Sequence, residues 1–204
     1  MLIKNNYTGK NLESAINNAK IALQETEDKL YIKELETKNS LFNKKVEIEV
    51  IRYDDVIEYI KEYLKTLINN MGLSCNLEVK KREQNVIFTI YSDNNSILIG
   101  KNGKTLESIT MITKQVIQKE LGKYFNFTID IGEYKKEREH RLESLAKKIA
   151  REVSISKVAA KLDPMNSYER RIIHTTLSDN KKVTTESEGE EPNRYVVIRP
   201  KEDE

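Results

Sequence analysis

The chain of 204 residues has one cysteine, no tryptophan, three prolines and seven glycines. Each scarcity excludes something. A lone Cys75 forms no intramolecular disulfide. His140 and His174 are the only histidines and lie far from Cys75, so no closely spaced soft ligands suggest a structural zinc site. No cofactor is expected. No run approaches the roughly 18 apolar residues of a membrane-spanning helix. Residues 1–11, MLIKNNYTGKN, lack the apolar stretch and small-residue cleavage site of a secretion signal, so the expectation is a soluble, cytoplasmic protein. So little proline and glycine leaves little flexible linker. Net charge is small too: 35 Lys+Arg against 33 Asp+Glu gives +2. Such a chain does not coat a polyanion by bulk charge, so any anion site is local.

What is present is amphipathic patterning in three stretches. In the first, residues 2–7 read as a strand and Asn11 as the cap of a helix carrying Leu12, Ala15, Ile16, Ala19 and Leu23. Residues 30–35 form a second strand. Val46, Ile48 and Val50 alternate with Glu47 and Glu49 in a third. The polar stretch 38–45 between them is expected as a loop, with Leu41-Phe42 as a candidate exposed contact. In the second stretch, Val56, Ile57, Ile60, Leu64, Leu67 and Ile68 mark a helix that stops at Met71-Gly72. Strands follow at 75–81 and 85–91, around a turn at 82–84. Ile97-Leu98-Ile99 forms a short apolar turn. A helix carrying Leu106, Ile109, Ile112, Val116, Ile117 and Leu121 comes next, then a strand through Phe125, Phe127, Ile129 and Ile131. In the third, Leu142, Leu145, Ala146, Ile149, Ala150 and Val153 give a clean helical stripe. A short strand at 157–162, a helix at 165–177, strands at 183–186 and 194–198 and a frayed tail at 202–204 complete the chain. The fold class is α+β, as three small domains: 1–51, 52–133 and 134–204.

Charge separates these segments. Residues 1–50 carry 8 basic and 8 acidic groups, and residues 51–133 carry 11 of each. Residues 134–182 carry 13 basic against 7 acidic, while acidic groups gather at 186–191 and 202–204. That pattern suits a basic face with acidic edges.

Two motifs carry chemistry. Gly100-Lys101-Asn102-Gly103-Lys104 precedes a helix. Glycines three apart admit a phosphate chain close to the backbone, and the helix start adds free N–H groups and a positive dipole end. The Walker spacing of a nucleotide-binding P-loop is absent. The order helix-strand-strand-apolar turn-GKNG-helix-strand resembles a KH domain of the bacterial, type II arrangement, whose G-x-x-G loop clamps about four nucleotides. The second motif is Arg170-Arg171-Ile172-Ile173-His174. Arg170 and His174 are one helical turn apart, at one edge of an apolar arc. A guanidinium fork beside an imidazole suits a phosphate or a stacked base. Residues 163–174, DPMNSYERRIIH, resemble the centre of the single-stranded nucleic-acid-binding domain named for Arg-x-x-x-His. Residues 185–190 and 192–200 resemble its end. No nucleophile, base and orienting group come together, so no enzyme is expected.

All three stretches together resemble the bacterial Jag family, also called KhpB, over essentially the whole chain. Two departures stand out. The family's Gly-Leu-Phe-Gly loop reads Ser40-Leu41-Phe42-Asn43 here. The family's charged linker is missing, and residues 46–53 run straight into the next helix, so the first two domains are expected to be closely coupled. The resemblance implies RNA binding through Ile97, Leu98, Ile99, Gly100, Lys101, Asn102, Gly103 and Lys104, and through Arg170, Arg171 and His174. It implies single-stranded RNA as ligand and a post-transcriptional role in cell division, elongation or envelope growth. It further implies pairing with a small KhpA-type KH protein or a second copy, and a functional link to a membrane-protein insertase. The competing expectation is a protein-interaction adaptor at the cytoplasmic membrane face, working through Leu41-Phe42.

Overall fold

In the computed structural model, which describes residues 2–35, 38–40, 43–82 and 85–201, Asn11 starts the first helix as its position predicts. Its side chain accepts from the Ser14 N–H at 2.8 Å. That helix, α1 (Leu12–Leu23), packs on a sheet of β1 (Asn5–Gly9), β2 (Leu30–Glu34) and β4 (Asn43–Arg52) in the order β1-β4-β2. Ala15 and Ala19 are both 0% exposed, small enough to bring the helix onto Val46, Ile48 and Val50. The stretch expected as a loop instead contains β3 (Lys38–Ser40), antiparallel to the start of β4 in the register Ser40↔Asn43. Its sequence has no apolar alternation to read. The pairing is driven by backbone: the early part of β4 has amide and carbonyl groups that need partners, and a hairpin supplies them. Leu41 and Phe42, the turn residues 83–84 and the tail 202–204 lie outside the described residues.

No linker separates β4 from α2 (Tyr53–Asn70). The helix buries Val56, Ile57, Ile60, Leu64 and Ile68, as its stripe predicts. It is followed by β5 (Cys75–Arg82), β6 (Asn85–Ser92), the short helix α3 (Asn95–Ile99), α4 (Lys104–Leu121) and β7 (Phe127–Ile131). The sheet order is β5-β6-β7. The crossover through α3 and α4 brings β7 back to the start of β6, where the Val86 N–H donates to Asn126 O at 3.3 Å. Phe88 and Phe127 meet edge to face at 5.9 Å in this core. One stripe residue is misassigned by periodicity alone. Ile112 is 44% exposed and Thr113 is 0% exposed in its place. The Thr113 hydroxyl donates to Ile109 O at 2.7 Å, so it enters the core with its polar group satisfied.

The first two stretches share their packing. Tyr31 of β2, Tyr53 of α2 and Phe125 pack with ring centroids 5.3–6.3 Å apart, and Phe125 continues to Phe127 at 6.0 Å. Lys123 donates to Ile32 O at 2.9 Å. Met1–Asp130 accordingly form one compact unit and Ile131–Glu204 another.

The second unit is an α+β layer in its own right. α5 (Tyr134–Ser156) and α6 (Ser167–Leu177) cover one face of β8 (Ala160–Lys161), β9 (Val183–Glu188) and β10 (Tyr195–Pro200), in the order β8-β10-β9. Leu142, Ala146, Ala150 and Val153 meet Ile173, Leu177, Val183, Val196 and Ile198 in its core. Leu145 falls off the stripe and is 39% exposed. The strand expected at 157–162 shrinks to Ala160–Lys161, and β9 runs on through Ser187 and Glu188, expected in a loop. Among the described residues, no helix is long and apolar enough to cross a membrane.

Candidate nucleic-acid interface

The glycine loop between α3 and α4 is a succession of unusual backbone angles. Gly100 has φ 69 and ψ −177, Asn102 has φ 53 and Gly103 has φ 78. The Gly100 conformation is essentially closed to residues with a side chain. A Cβ there would lie 2.1 Å from the Thr105 hydroxyl oxygen. The loop is therefore pressed against the start of α4. The N-cap of α4 is Gly103, with no side-chain cap; the Lys104 N–H donates to Lys101 O, and the positive dipole end of this 18-residue helix lies at the loop. Lys101 and Lys104 flank it and are exposed. On the apolar side the three residues differ. Ile97 is 49% exposed and Ile99 half-buried, but Leu98 is 0% exposed. The α3 turn explains this: Leu98 points into the core that α3 shares with α4. Leu98 positions the loop and offers no surface to a ligand.

The second motif is arranged differently from what a helical wheel suggests. Arg170 is 7% exposed, not at an open polar edge. Its guanidinium meets Glu191 of the β9–β10 connection at 2.7 Å, and its Nε has no hydrogen-bond partner among the described residues. His174 is half-buried, with Nδ1 2.7 Å from the Thr185 hydroxyl and Nε2 2.9 Å from the Ser187 hydroxyl. Burial first, and then the Arg170 charge, hold the imidazole below its ordinary value of 6.5. A neutral ring suits two hydroxyl partners, because each hydroxyl can donate or accept. Alternation in β9 places Thr185 and Ser187 on the helix side while Glu186 and Glu188 face away. Sequence reading left Ser187 in a loop, because the predicted strand stopped at Glu186, and paired neither hydroxyl with His174, because the contacts join residues 11 and 13 positions apart.

The start of α6 is tightly fixed. Asn166 accepts from the Glu169 N–H at 3.0 Å, and Glu169 reaches back to the Asn166 N–H at 3.3 Å, a complete capping box. The same Glu169 carboxylate, 5% exposed, takes the Arg138 Nε–H of α5 at 2.7 Å. This clamp locks α6 against α5. Arg171, next to buried Arg170, is exposed and faces α5 across an open groove of about 390 Å³. Tyr168 stands at its rim, 60% exposed, with its hydroxyl 3.5 Å from Glu139. Burial, then the Glu139 carboxylate, push the Tyr168 phenol up.

The acidic edge is largely absorbed within the unit. Arg199 pairs with Glu188 and lies 3.9 Å from Glu186, while Glu191 covers Arg170. Lys147, Lys148, Arg151 and Arg171 on the two helices are exposed.

Comparison with known proteins follows the same division. Residues 57–129 match the KH domain of KhpA and KhpB, and residues 140–200 match the domain named for its Arg-x-x-x-His motif. The chain is 36% identical over 197 residues to the RNA-binding protein KhpB of Clostridium symbiosum, covering 94% of this chain and 89% of that protein. It is 34% identical over 200 residues to the RNA-binding protein KhpB of Bacillus subtilis, covering 95% and 96%. The KhpB of Lactiplantibacillus plantarum is 30% identical over 145 residues, 71% of this chain and 45% of that longer protein. Similarity at this level along nearly the whole length makes this chain a member of the KhpB family.

Proposed function

We propose that the chain binds single-stranded RNA through two sites and acts as a post-transcriptional regulator in the cytoplasm. The observation that carries this is the GKNG loop, with its uncapped helix start between two exposed lysines. A phosphate there meets a positive dipole end and two cations together. Ile97 and Ile99 supply an apolar flank for bases. Arg171 supplies an exposed cation in the second unit, with Arg170 and His174 acting from beneath to hold α6 on β9 and its loop. The relatives carry the name of RNA-binding proteins, which supports a binding role over a catalytic one. We divide the chain into modules at 1–51, 52–133 and 134–204, with the first fused to the second by the Tyr31–Tyr53–Phe125 cluster. The match to a KH family shared by KhpA and KhpB supports pairing with a small KH protein. A role in cell division or envelope growth rests on the family resemblance.

Replacing Lys101 and Asn102 together by Asp sets two carboxylates where the phosphate would lie. Asn102 occupies a left-handed conformation that Asp also tolerates, so the fold should survive. Affinity of the whole chain for a single-stranded RNA oligonucleotide should fall at least about tenfold, roughly 1.4 kcal/mol. Undiminished binding with an unchanged circular-dichroism spectrum would remove the loop from the interface.

A further inference from the structure

The α5–α6 groove of the second unit lies outside the Arg-x-x-x-His pair. Its volume, about 390 Å³, leaves room for one base in an open groove. Its floor is Ile172, and its rim is the ring of Tyr168. A tyrosine ring held 60% exposed beside a groove is a stacking platform, and stacking on aromatics is how unpaired bases are gripped. Exposed Arg171 and Lys147 stand at the same groove, where they would meet the flanking phosphates. Glu139 and Glu143 line it from α5. Ionised carboxylates only accept hydrogen bonds. They therefore repel phosphate and select a base edge made of donors. Guanine presents adjacent N1–H and N2–H donors on its Watson–Crick edge, whereas uracil presents one N–H between two acceptors.

From this arrangement we infer that the groove holds one unpaired guanine, stacked on Tyr168 and read by Glu139 and Glu143, with Arg171 and Lys147 on the neighbouring phosphates. The inference rests on RNA being the ligand and adds a specificity to it. The clamp of Glu169 on Arg138 keeps the two helix faces at fixed spacing, so the cleft is preformed.

The test uses the full chain and two oligonucleotides: a ten-nucleotide oligo(U), and the same with one central guanosine. The wild type should prefer the guanosine-containing strand. Tyr168→Ala should weaken binding to that strand by about fivefold to a hundredfold, the usual loss per stacked base. Tyr168→Phe should keep most of the affinity, since the ring remains. Glu139→Gln should bring the two strands to near-equal affinity, because an amide accepts and donates. A central 6-thioguanosine should photo-crosslink to the peptide containing Tyr168. Tyr168 is exposed, so the variants should melt with the wild type. Wild-type affinity in Tyr168→Ala, or equal wild-type binding of both strands, overturns the guanine site while leaving RNA binding intact. No binding of either strand by the wild type overturns both.

Discussion

Gly100 and His174 both sit in restrictive surroundings. A side chain at Gly100 meets two obstacles, a backbone conformation reserved for glycine and the Thr105 side chain at 2.1 Å. Gly72 has a positive φ of +80 but no such obstacle, since nothing lies within 4 Å. Gly72→Ala should therefore cost about 1 kcal/mol. Gly100→Ala should cost more, about 2–3 kcal/mol, and lower RNA affinity as the loop shifts. Urea denaturation of the two variants side by side checks the difference. Equal costs would mean Thr105 moves aside freely. For His174 the sign of the pH effect follows from its depressed folded value. The unfolded imidazole titrates near 6.5. Above that pH both states are neutral and the stability due to the neutral ring is fully present. As pH falls from 6.5 through the folded value, the unfolded state takes up its proton first and that stability is lost. The melting temperature of the wild type should drop between pH 7.5 and 5.5 by more than that of His174→Gln. RNA affinity should not fall between pH 7 and 8 on account of this residue, because it is already neutral there.

At the scale of elements, the start of α6 is held by a capping box and by the Arg138–Glu169 ion pair at once. Asn166→Ala removes one cap bond and should cost about 1 kcal/mol. Glu169→Ala removes the other half of the box and leaves the Arg138 guanidinium without its buried partner, so about 3 kcal/mol is expected. Chemical denaturation should rank the two in that order, and a reversal would show that the Arg138 pair contributes nothing net. The sequence left the cap of α6 open between Asn166 and Ser167, with Glu169 in the first turn; the capping box assigns it to Asn166, while the helix itself was legible from its apolar stripe. So were α1, α2, α4, α5 and the G-x-x-G loop, whose periods and punctuation are carried by neighbouring residues. What escaped depends on partners distant in the chain. β3 has no pattern of its own and exists because β4 needs a partner. Leu98 reads like Ile97 and Ile99 until α3 turns it inward. Arg170 looks solvent-facing on a wheel until Glu191, 21 residues on, covers it. Thr113 displaces Ile112 from the core because it can satisfy its hydroxyl within its own helix.

At the scale of the whole molecule, the small net charge sets how RNA can be held. With 35 basic and 33 acidic groups, attraction at long range is weak, and binding depends on cations brought to particular places. Four exposed cations stand at the two proposed sites: Lys101 and Lys104 at the loop, Lys147 and Arg171 at the groove. Single-stranded nucleic acid loses about 0.7 in logarithmic affinity per tenfold rise in salt for each phosphate neutralised. The whole chain should thus show a slope of roughly −3. The double Asp variant at Lys101 and Asn102 should flatten it to about −2, since one cation is lost outright and the loop repels its phosphate. Both sites sit on one chain, so the second engages at the effective concentration set by the first. Affinity should therefore climb with oligonucleotide length until one strand reaches both sites, then level off. Flattened salt dependence with no length dependence would mean that a single site binds RNA and the other unit has a different ligand. A slope much steeper than −3 would mean that the dispersed lysines bind as a polycation, which the near balance of charge argues against.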